Sequence, residues 1–580
     1  MTRLWNDPAD FADEMIDGFV AANARYVRRV PGGVVRATPA RAGRVVVVVG
    51  GGSGHYPAFG GLVGPGLADG AAMGNLFASP STQQIHAVAR AAHRGGGVFF
   101  SYGNYAGDVL NFDAAQERLR AEGIDCDTVA VTDDVASATP DESHRRRGIA
   151  GDLTVFRSAA AAAAAGYDLA GVARVARRAN DRTRSFGVAF SGCTLPGAPE
   201  PLFSVPAGRM AIGLGIHGEP GIGETEVPTA DGLAELLVST LLAERPAEAD
   251  GRVVPILNGL GSLKHEEMFV VYRRVAQLLA DAGLEVIDPH VGEYCTSFAM
   301  AGTSLTLFWL DDELAELWET PVDTPAYRRG AVAPDDSSTP SDPAPTAATD
   351  DAHTAIVAGD ADSRSLAVLV AAAVDAVAAT VDAHVDELGR MDAVAGDGDH
   401  GIGMQRGSHA AQAAAHAARS AGAGAATTLA HAADAWSDRA GGTSGALWGV
   451  ILSAIAGALG DHGRPDASAV ANGVAAATRG VMAYGKAELG DKTMVDALVP
   501  FSSELSNAVA TGAPLAEAWR SAAAAATTAA AATAGLLPRM GRARTHGQHS
   551  VGTPDPGAHS LALIATAVGV VLADSERTSS

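Results

Sequence analysis

The chain has 580 residues, 47% of them hydrophobic, more than one ordinary core holds, so two or three domains are expected. A formal charge of −24 argues against a nucleic-acid partner, because phosphate binding needs clustered Lys and Arg and the only dense basic run is Arg145–Arg147. Cys126, Cys193 and Cys295 have no CxxC spacing, which suits a reducing compartment, the cytoplasm, and neither a disulfide framework nor a zinc site. The first residues lack the basic-then-apolar layout of a signal peptide. The longest late apolar run, Leu561–Ala573, is too short to span a bilayer, so a soluble protein without a membrane partner is expected.

In chain order, Arg44–Val49 (RVVVVV) reads as a buried strand that runs into a glycine turn, GGGSGHYP, ending at Pro57. The stretch lacks the Lys-Ser/Thr pair of a Walker loop, and Pro57 stands where a dinucleotide fingerprint needs its last glycine. Two readings stay open: a tight strand–helix turn, or a loop whose N–H groups approach a polar ligand. Val98–Phe100 is a second strand, and Asp108 in SYGNYAGDVLNF follows its end, where α/β sheets place ligands and where an Asp also caps helices. Val129–Thr132 adds a strand and Thr154–Ala165 an alanine-rich helix, so residues 1–330 read as α/β with buried strands. In GLGIHGEPGIGE, His217 sits between glycines that expose its ring. It is either a solvated loop side chain or a nucleophile or base working near pH 7.

Residues 331–363, rich in Pro, Ser, Thr, Ala and Asp, cannot bury enough surface to fold alone and read as a linker. From residue 364 to 580 strand-like runs vanish. Apolar spacing of three and four, as in Leu366–Val385, Ala467–Tyr484 and Leu515–Thr533, predicts an all-helical domain. Within it, MDAVAGDGDHGIGM (Met391–Met404) places Asp392, Asp397 and Asp399 among glycines. They form either an acidic surface turn or a set of hard oxygen ligands for Mg²⁺; the spacing excludes an EF-hand. GGTSGALWG (Gly441–Gly449), GDKTMVDAL (Gly490–Leu498) and DPGA (Asp555–Ala558) are polar glycine breaks between helices, placed to line one pocket at one end of a bundle.

In this order the motifs resemble the dihydroxyacetone kinase family, of the single-chain ATP-dependent type, over nearly the whole chain outside the linker. The resemblance implies an N-terminal ketose-binding K domain of two α/β subdomains and a C-terminal L domain folded as an eight-helix barrel. It makes His217 the residue that holds a short ketose as a hemiaminal, and Gly52, Ser53, Gly54 and His55 the substrate cradle, with His55 as acid/base partner. Asp108 becomes the acceptor of the hydroxyl proton. Asp392, Asp397 and Asp399 become ligands of two Mg²⁺ ions that hold the ATP phosphates. His400, Gly401, Ile402 and Gly403, with Thr443, Ser444, Gly485, Met494, Arg542, Asp555, Pro556 and Gly557, match the nucleotide pocket. A homodimer through the K domain is also implied.

Two departures bear on substrate. The family usually reads GGGSGHEP, with a lysine before NYTGD; here Tyr56 replaces the glutamate, and Gly103 stands where the lysine would contact substrate. Loss of that side chain opens volume for one more hydroxymethyl carbon, which predicts erythrulose as a rival to dihydroxyacetone. Refilling by Tyr56 or Phe100 would leave the substrate unchanged. Two other activities known in the family are an FAD-cyclising lyase and a non-catalytic ketose sensor. The intact Asp108 and aspartate triad weigh against the sensor.

Overall fold

The computed structural model describes residues 4–198, 200–332, 356, 358–396, 398–540 and 547–579. The chain divides into two compact units, Met1–Pro343 and Ala344–Ser580. Most of the expected linker falls on 333–355 and 357, outside the described residues.

The first unit is built on two sheets. Sheet one has strands β1 (Val27–Val30), β2 (Gly33–Arg36), β3 (Val46–Ser53), β4 (Gly70–Leu76), β5 (Val98–Gly103) and β6 (Cys126–Val131), in the order β1-β2-β4-β3-β5-β6. β4, β3, β5 and β6 run parallel, and β1 and β2 form an antiparallel edge. Sheet two, mostly antiparallel, comprises β7 (Thr183–Ala189), β8 (Arg209–Ile212), β9 (Gly223–Glu226), β10 (Arg252–Gly259), β11 (Glu285–Val286), β12 (His290–Gly292) and β13 (Gly302–Trp309). The helices are α1 (Phe11–Ala22), α2 (Thr82–Ala92), α3 (Ala106–Ala121), α4 (Asp152–Ala164), α5 (Leu169–Asp181), α6 (Ala230–Ala243), α7 (His265–Asp281) and α8 (Asp312–Trp318).

Why β3 is an unbroken valine run follows from its position. Val47 and Val49 join a core that contains α4, whereas Val46 and Val48 join one with Val88 of α2 and Phe112 of α3. A central parallel strand with both faces covered loses the polar alternation of a half-exposed one. α4 is enclosed too: Ala159–Ala163 are buried, in one cluster with Val49 of sheet one and Val254 and Phe308 of sheet two. Its alanines therefore keep the helix narrow enough to fit, and are not merely good helix formers.

β3 does not end where the glycines begin, as the sequence suggested. Gly50, Gly51 and Gly52 belong to the strand. A Cβ on Gly51 would stand 2.4 Å from the Phe59 ring, and one on Gly52 would stand 2.8 Å from the backbone of Phe77 and Ala78. These glycines permit close approach; the turn itself starts at Gly54, with φ of 104°.

The second unit's described residues form eight helices: α9 (Ala361–Ala395), α10 (His400–Ser420), α11 (Ala425–Ala440), α12 (Gly442–Leu459), α13 (Ala467–Gly485), α14 (Val495–Ala510), α15 (Leu515–Ala532) and α16 (Pro556–Ser579). Each packs on the next, and α16 closes the ring against α9. α9 starts at Ala361, capped by the Asp360 carboxylate accepting from the Ser363 amide, so the helical unit begins before residue 364. The ring encloses an apolar cavity of about 380 Å³, lined by Val374, Trp436, Trp448, Phe501, Trp519 and Ile564 among others.

Three helices, Ala361–Val394, Gly442–Leu459 and Pro556–Arg577, have the length and apolar composition to cross a membrane, although the apolar run read from the sequence was shorter. In the fold Val377, Val381, Ile451, Leu561 and Ile564 on these helices are buried in the bundle core. A closed helical ring with an apolar interior needs such long stripes.

Candidate active site

Sheet one changes direction between β3 and β5: the chain leaves β3 for β4 on one side and returns to β5 on the other. Ligands of open α/β sheets bind at such a switch point, beyond the carboxyl ends of the strands. Gly54 and His55 follow β3 there, and Gly103 ends β5, with Asp108 buried in the first turn of α3.

His217 arrives from sheet two, on the loop between β8 and β9. The glycines around it do not leave it solvated, as the sequence suggested; it is 7% exposed. Gly215 leaves no room for a Cβ, which would lie 2.0 Å from a Glu219 carboxylate oxygen, and this lets Glu219 fold beneath the histidine. Glu219 accepts from the His217 amide at 3.0 Å and pairs with His217 Nδ1 at 2.9 Å. On the other side His217 Nε2 is 3.0 Å from His55 Nε2, and His55 Nδ1 is 2.8 Å from the Thr296 carbonyl oxygen.

These contacts constrain the protons. A carbonyl and a carboxylate only accept, so each histidine carries hydrogen on Nδ1. Two neutral rings would then point lone pairs at each other across 3.0 Å. For the 3.0 Å contact to be a hydrogen bond and not two facing lone pairs, one proton must lie between the Nε2 atoms, and the Glu219 carboxylate is placed as its counter-charge. Arg147 balances the acids behind, contacting Asp134 at 2.7 Å and Glu219 at 3.9 Å.

Aromatic rings wall the pair. Phe77 stacks on His55 with centroids 4.9 Å apart, and Tyr105 meets His217 edge-on at 4.6 Å. Phe77 and Phe298 have φ of 55° and 50°, left-handed values that cost a side-chain-bearing residue about 1–2 kcal/mol. Both are held by amides donating to the cradle, Phe77 to the Ser53 carbonyl and Phe298 to that of Gly54. Such strain is tolerated where the surroundings over-determine it.

The substrate-side departure is not refilled as the sequence suggested. Tyr56 is 49% exposed, and Phe100 points into the core on the other face of β5, against Phe112. What lies beside Gly103 is the Tyr105 ring, 3.1 Å from where a Cβ would stand, and the Gly148 carbonyl at 3.2 Å.

In the second unit the turns α9–α10, α11–α12, α13–α14 and α15–α16 all fall at one end of the ring, because successive helices alternate in direction. Asp392 accepts from the His400 amide at 3.2 Å. The His400 ring bridges Ser560 Oγ at 2.9 Å and Ser444 Oγ at 3.3 Å. Asp555 accepts from the Ala558 amide at 2.7 Å, and a Cβ on Gly557 would touch both Asp555 and Met494. Gly401 presses on the α9 backbone, where a Cβ would lie 2.1 Å from the Val385 carbonyl oxygen. Ile402 is exposed, Gly403 and Thr443 open the neighbouring helices α10 and α12, and Gly485 closes α13. Asp397 and Arg542 lie outside the described residues.

Burial, and then the Asp392 charge, push the Asp399 carboxyl up to about 7. Burial likewise raises Asp555 to about 7, with Asp392 and Asp496 adding to it. Asp392 and Asp399 are hard oxygen donors of the kind that suits Mg²⁺, but Asp397 is outside the described residues, and among those no three His, Cys, Asp or Glu side chains gather around one point.

Sequence reasoning passed over Glu219, Tyr105 and the loop Gly148–Asp152. The first two stood inside quoted motifs without a role, and the last carried a signal of its own, an Asp directly after two closely spaced glycines.

An α/β unit closing on a histidine pair is joined in one chain to a helical ring whose glycine-rich turns and aspartates lie at one end. The Dak1 domain family matches residues 17–326 and the DAK2 domain family residues 394–569. The chain is 59% identical to an L-erythrulose kinase of Pectobacterium atrosepticum, over 100% of this chain and 98% of that one. It is 55% identical to a D-erythrulose kinase of Mycolicibacterium smegmatis, over 98% of each. Among solved structures, the dihydroxyacetone kinase from C. freundii in complex with AMP-PNP and Mg²⁺ matches with a TM-score of 0.52 and 28% identity, covering 98% of this chain and 99% of that one. The chain belongs to the dihydroxyacetone kinase family and is a kinase.

Proposed function

We propose that the chain transfers the γ-phosphoryl group of ATP to a primary hydroxyl of a short ketose, with erythrulose preferred over dihydroxyacetone. The observation that carries the ketose reading is the buried His55–His217–Glu219 series. His217 Nε2 adds its lone pair to the ketose carbonyl carbon, and the carbonyl oxygen takes the proton held on His55 Nε2, giving a hemiaminal. The His217 ring becomes cationic in that adduct, and the Glu219 carboxylate at its Nδ1 stabilises it. Asp108 accepts the proton of the attacking hydroxyl.

Asp392, Asp397 and Asp399 would hold Mg²⁺, which supplies neutralisation of phosphate charge. The nucleotide sits over the α9–α10, α11–α12, α13–α14 and α15–α16 turns. The likeness to a kinase crystallised with an ATP analogue and Mg²⁺ supports this assignment. The preference for erythrulose is supported by full-length likeness to two erythrulose kinases. A homodimer through the first unit belongs to the same reading, and sedimentation at micromolar concentration tests it.

The test is ADP release with Mg·ATP and, in parallel, dihydroxyacetone, D-erythrulose and L-erythrulose, compared as kcat/KM. Higher kcat/KM for one erythrulose is expected. Higher kcat/KM for dihydroxyacetone would refute the substrate assignment, and no ADP release with any of the three would refute the ketose reading.

A further inference from the structure

The one dense basic run of the sequence, Arg145–Arg147, is not used by the chemistry above. Only its first member stays at the surface, where Arg145 pairs with Glu142. Arg146 turns inward and donates twice to the Glu244 carboxylate, at 2.8 Å each. Arg147 turns inward toward the histidine pair and is buried. Its main chain is held on both sides: the amide donates to Ser137 Oγ at 3.0 Å, and the carbonyl accepts from the Asp134 amide at 3.1 Å. Its guanidinium is aimed as well. Nε donates to Asp134 Oδ2 at 2.9 Å, and Nη2 donates to the Gly213 carbonyl at 3.1 Å, on the loop that carries His217. Arg147 therefore ties the β6–α4 loop of sheet one to the His217 loop of sheet two. The next residue in the chain serves the same histidine, because the Gly148 carbonyl accepts from the Tyr105 hydroxyl at 3.0 Å and the Tyr105 ring walls His217.

The remaining arm of the fork, Nη1, makes no hydrogen bond of its own and lies 3.9 Å from Glu219 Oε2. The two atoms meet over Gly215, where a Cβ would lie 2.5 Å from Nη1 and 2.0 Å from that oxygen. Asp134 and Glu219 are both buried, so two carboxylates face one guanidinium. One negative charge is left over, and Glu219 Oε1 presents it to His217 Nδ1 at 2.9 Å. Buried carboxylates keep their charge only when cations pair with them. Without the guanidinium both acids would draw on the proton of the histidine pair, and a protonated Glu219 gives a cationic His217 no counter-charge. We infer that Arg147 is a positioning residue for the ketose anchor: it keeps Glu219 an anion and fixes the His217 loop, so that Nδ1 meets full negative charge when Nε2 bonds the ketose carbonyl carbon. The inference rests on the reading that His217 holds the ketose carbonyl.

The test uses the full chain, as wild type, Arg147→Met, Arg147→Lys, Glu219→Gln, and Glu219→Gln combined with each arginine variant. Adduct occupancy is read by native mass spectrometry without ATP, and kcat/KM with Mg·ATP and the three ketoses. Arg147→Met is expected to lower both by about tenfold or more, with the KM for ATP near wild type. The ratios among the three ketoses should stay within about twofold, because all share the carbonyl. In the Glu219→Gln background the same substitution should cost less than about threefold, since a residue that acts through Glu219 has nothing left to act on. A residue that only holds the fold would cost the same factor in both backgrounds. Arg147→Lys keeps a cation in the core but replaces the fork with one shorter donor group. It is expected to lose about threefold alone and nothing further beside Glu219→Gln, so the inference can still be judged if Arg147→Met does not fold. Equal losses with and without Glu219, or an adduct within about twofold of wild type in Arg147→Met, would overturn it. If the wild type forms the adduct and only these comparisons fail, this inference alone fails. If the wild type forms no adduct with any of the three ketoses, the functional reading fails and this inference with it.

Discussion

Replacing Glu219 with Gln probes the histidine pair most directly. The carboxylate accepts two N–H groups of His217, from Nδ1 at 2.9 Å and the amide at 3.0 Å, within a site closed to solvent. Gln keeps the size but has one accepting atom, so its NH₂ must face one of the two donors. It also removes the negative charge that offsets the proton shared with His55. A hydrogen bond to a charged group contributes about 1.5–3 kcal/mol, and a buried donor left unmet costs a similar amount. With about 1.4 kcal/mol per factor of ten, kcat/KM for the ketose should fall roughly 10- to 100-fold. The assay pairs steady-state kinetics with native mass spectrometry of the ketose adduct in the absence of ATP. Both should fall together, while the KM for ATP stays near the wild-type value. A Glu219→Gln enzyme whose kcat/KM and adduct occupancy stay within about twofold of wild type would refute the proton assignment across the pair.

Three further outcomes are expected. His217→Ala should abolish the adduct, whereas Asp399→Asn, or removal of divalent cations by chelation, should depress phosphoryl transfer and leave the adduct intact; an adduct that persists in His217→Ala would displace the anchor assignment. Gly52→Ala, whose Cβ would lie 2.8 Å from the Phe77 and Ala78 backbone, should cost about 1–3 kcal/mol by overpacking and lose the ketose adduct. It should retain binding of a non-hydrolysable ATP analogue, which calorimetry reads. The third outcome concerns acid. Burial alone would raise Asp375 and Asp382, but Gln412 and His416 hold the first, and Gln405 and His409 the second, below the ordinary carboxylate value. Their folded-state values lie under the unfolded one, so their support of the α9–α10 contact is present above about pH 4 and is lost as pH falls through the folded values. The partners are half-exposed, which limits each cluster to about 1 kcal/mol or less. Hydrogen exchange across α9 and α10 should quicken below pH 4 beyond the intrinsic chemical trend, and Asp375→Asn with Asp382→Asn should remove that component.

The local sequence by itself determined the kinds of elements. Five valines in a row dictated a buried strand, and alanine-rich segments with three- and four-residue spacing dictated helices, because propensity and periodicity are properties of near neighbours. The glycine motifs marked where function would lie. Their order pointed to the family, and the matches over residues 17–326 and 394–569 agree. Tertiary structure alone decided what each glycine does. Gly51 and Gly52 look like turn residues but lie inside β3, where the Phe59 ring and the Phe77–Ala78 backbone press against them. It also decided the state of His217, which local context presents as a loop side chain, and which is enclosed because His55 comes from 162 residues away and Glu219 folds underneath. Asp152 is the clearest case. Nothing in its neighbours reveals a buried oxygen without a partner, because burial and hydrogen-bond satisfaction depend on which distant backbone closes over a side chain.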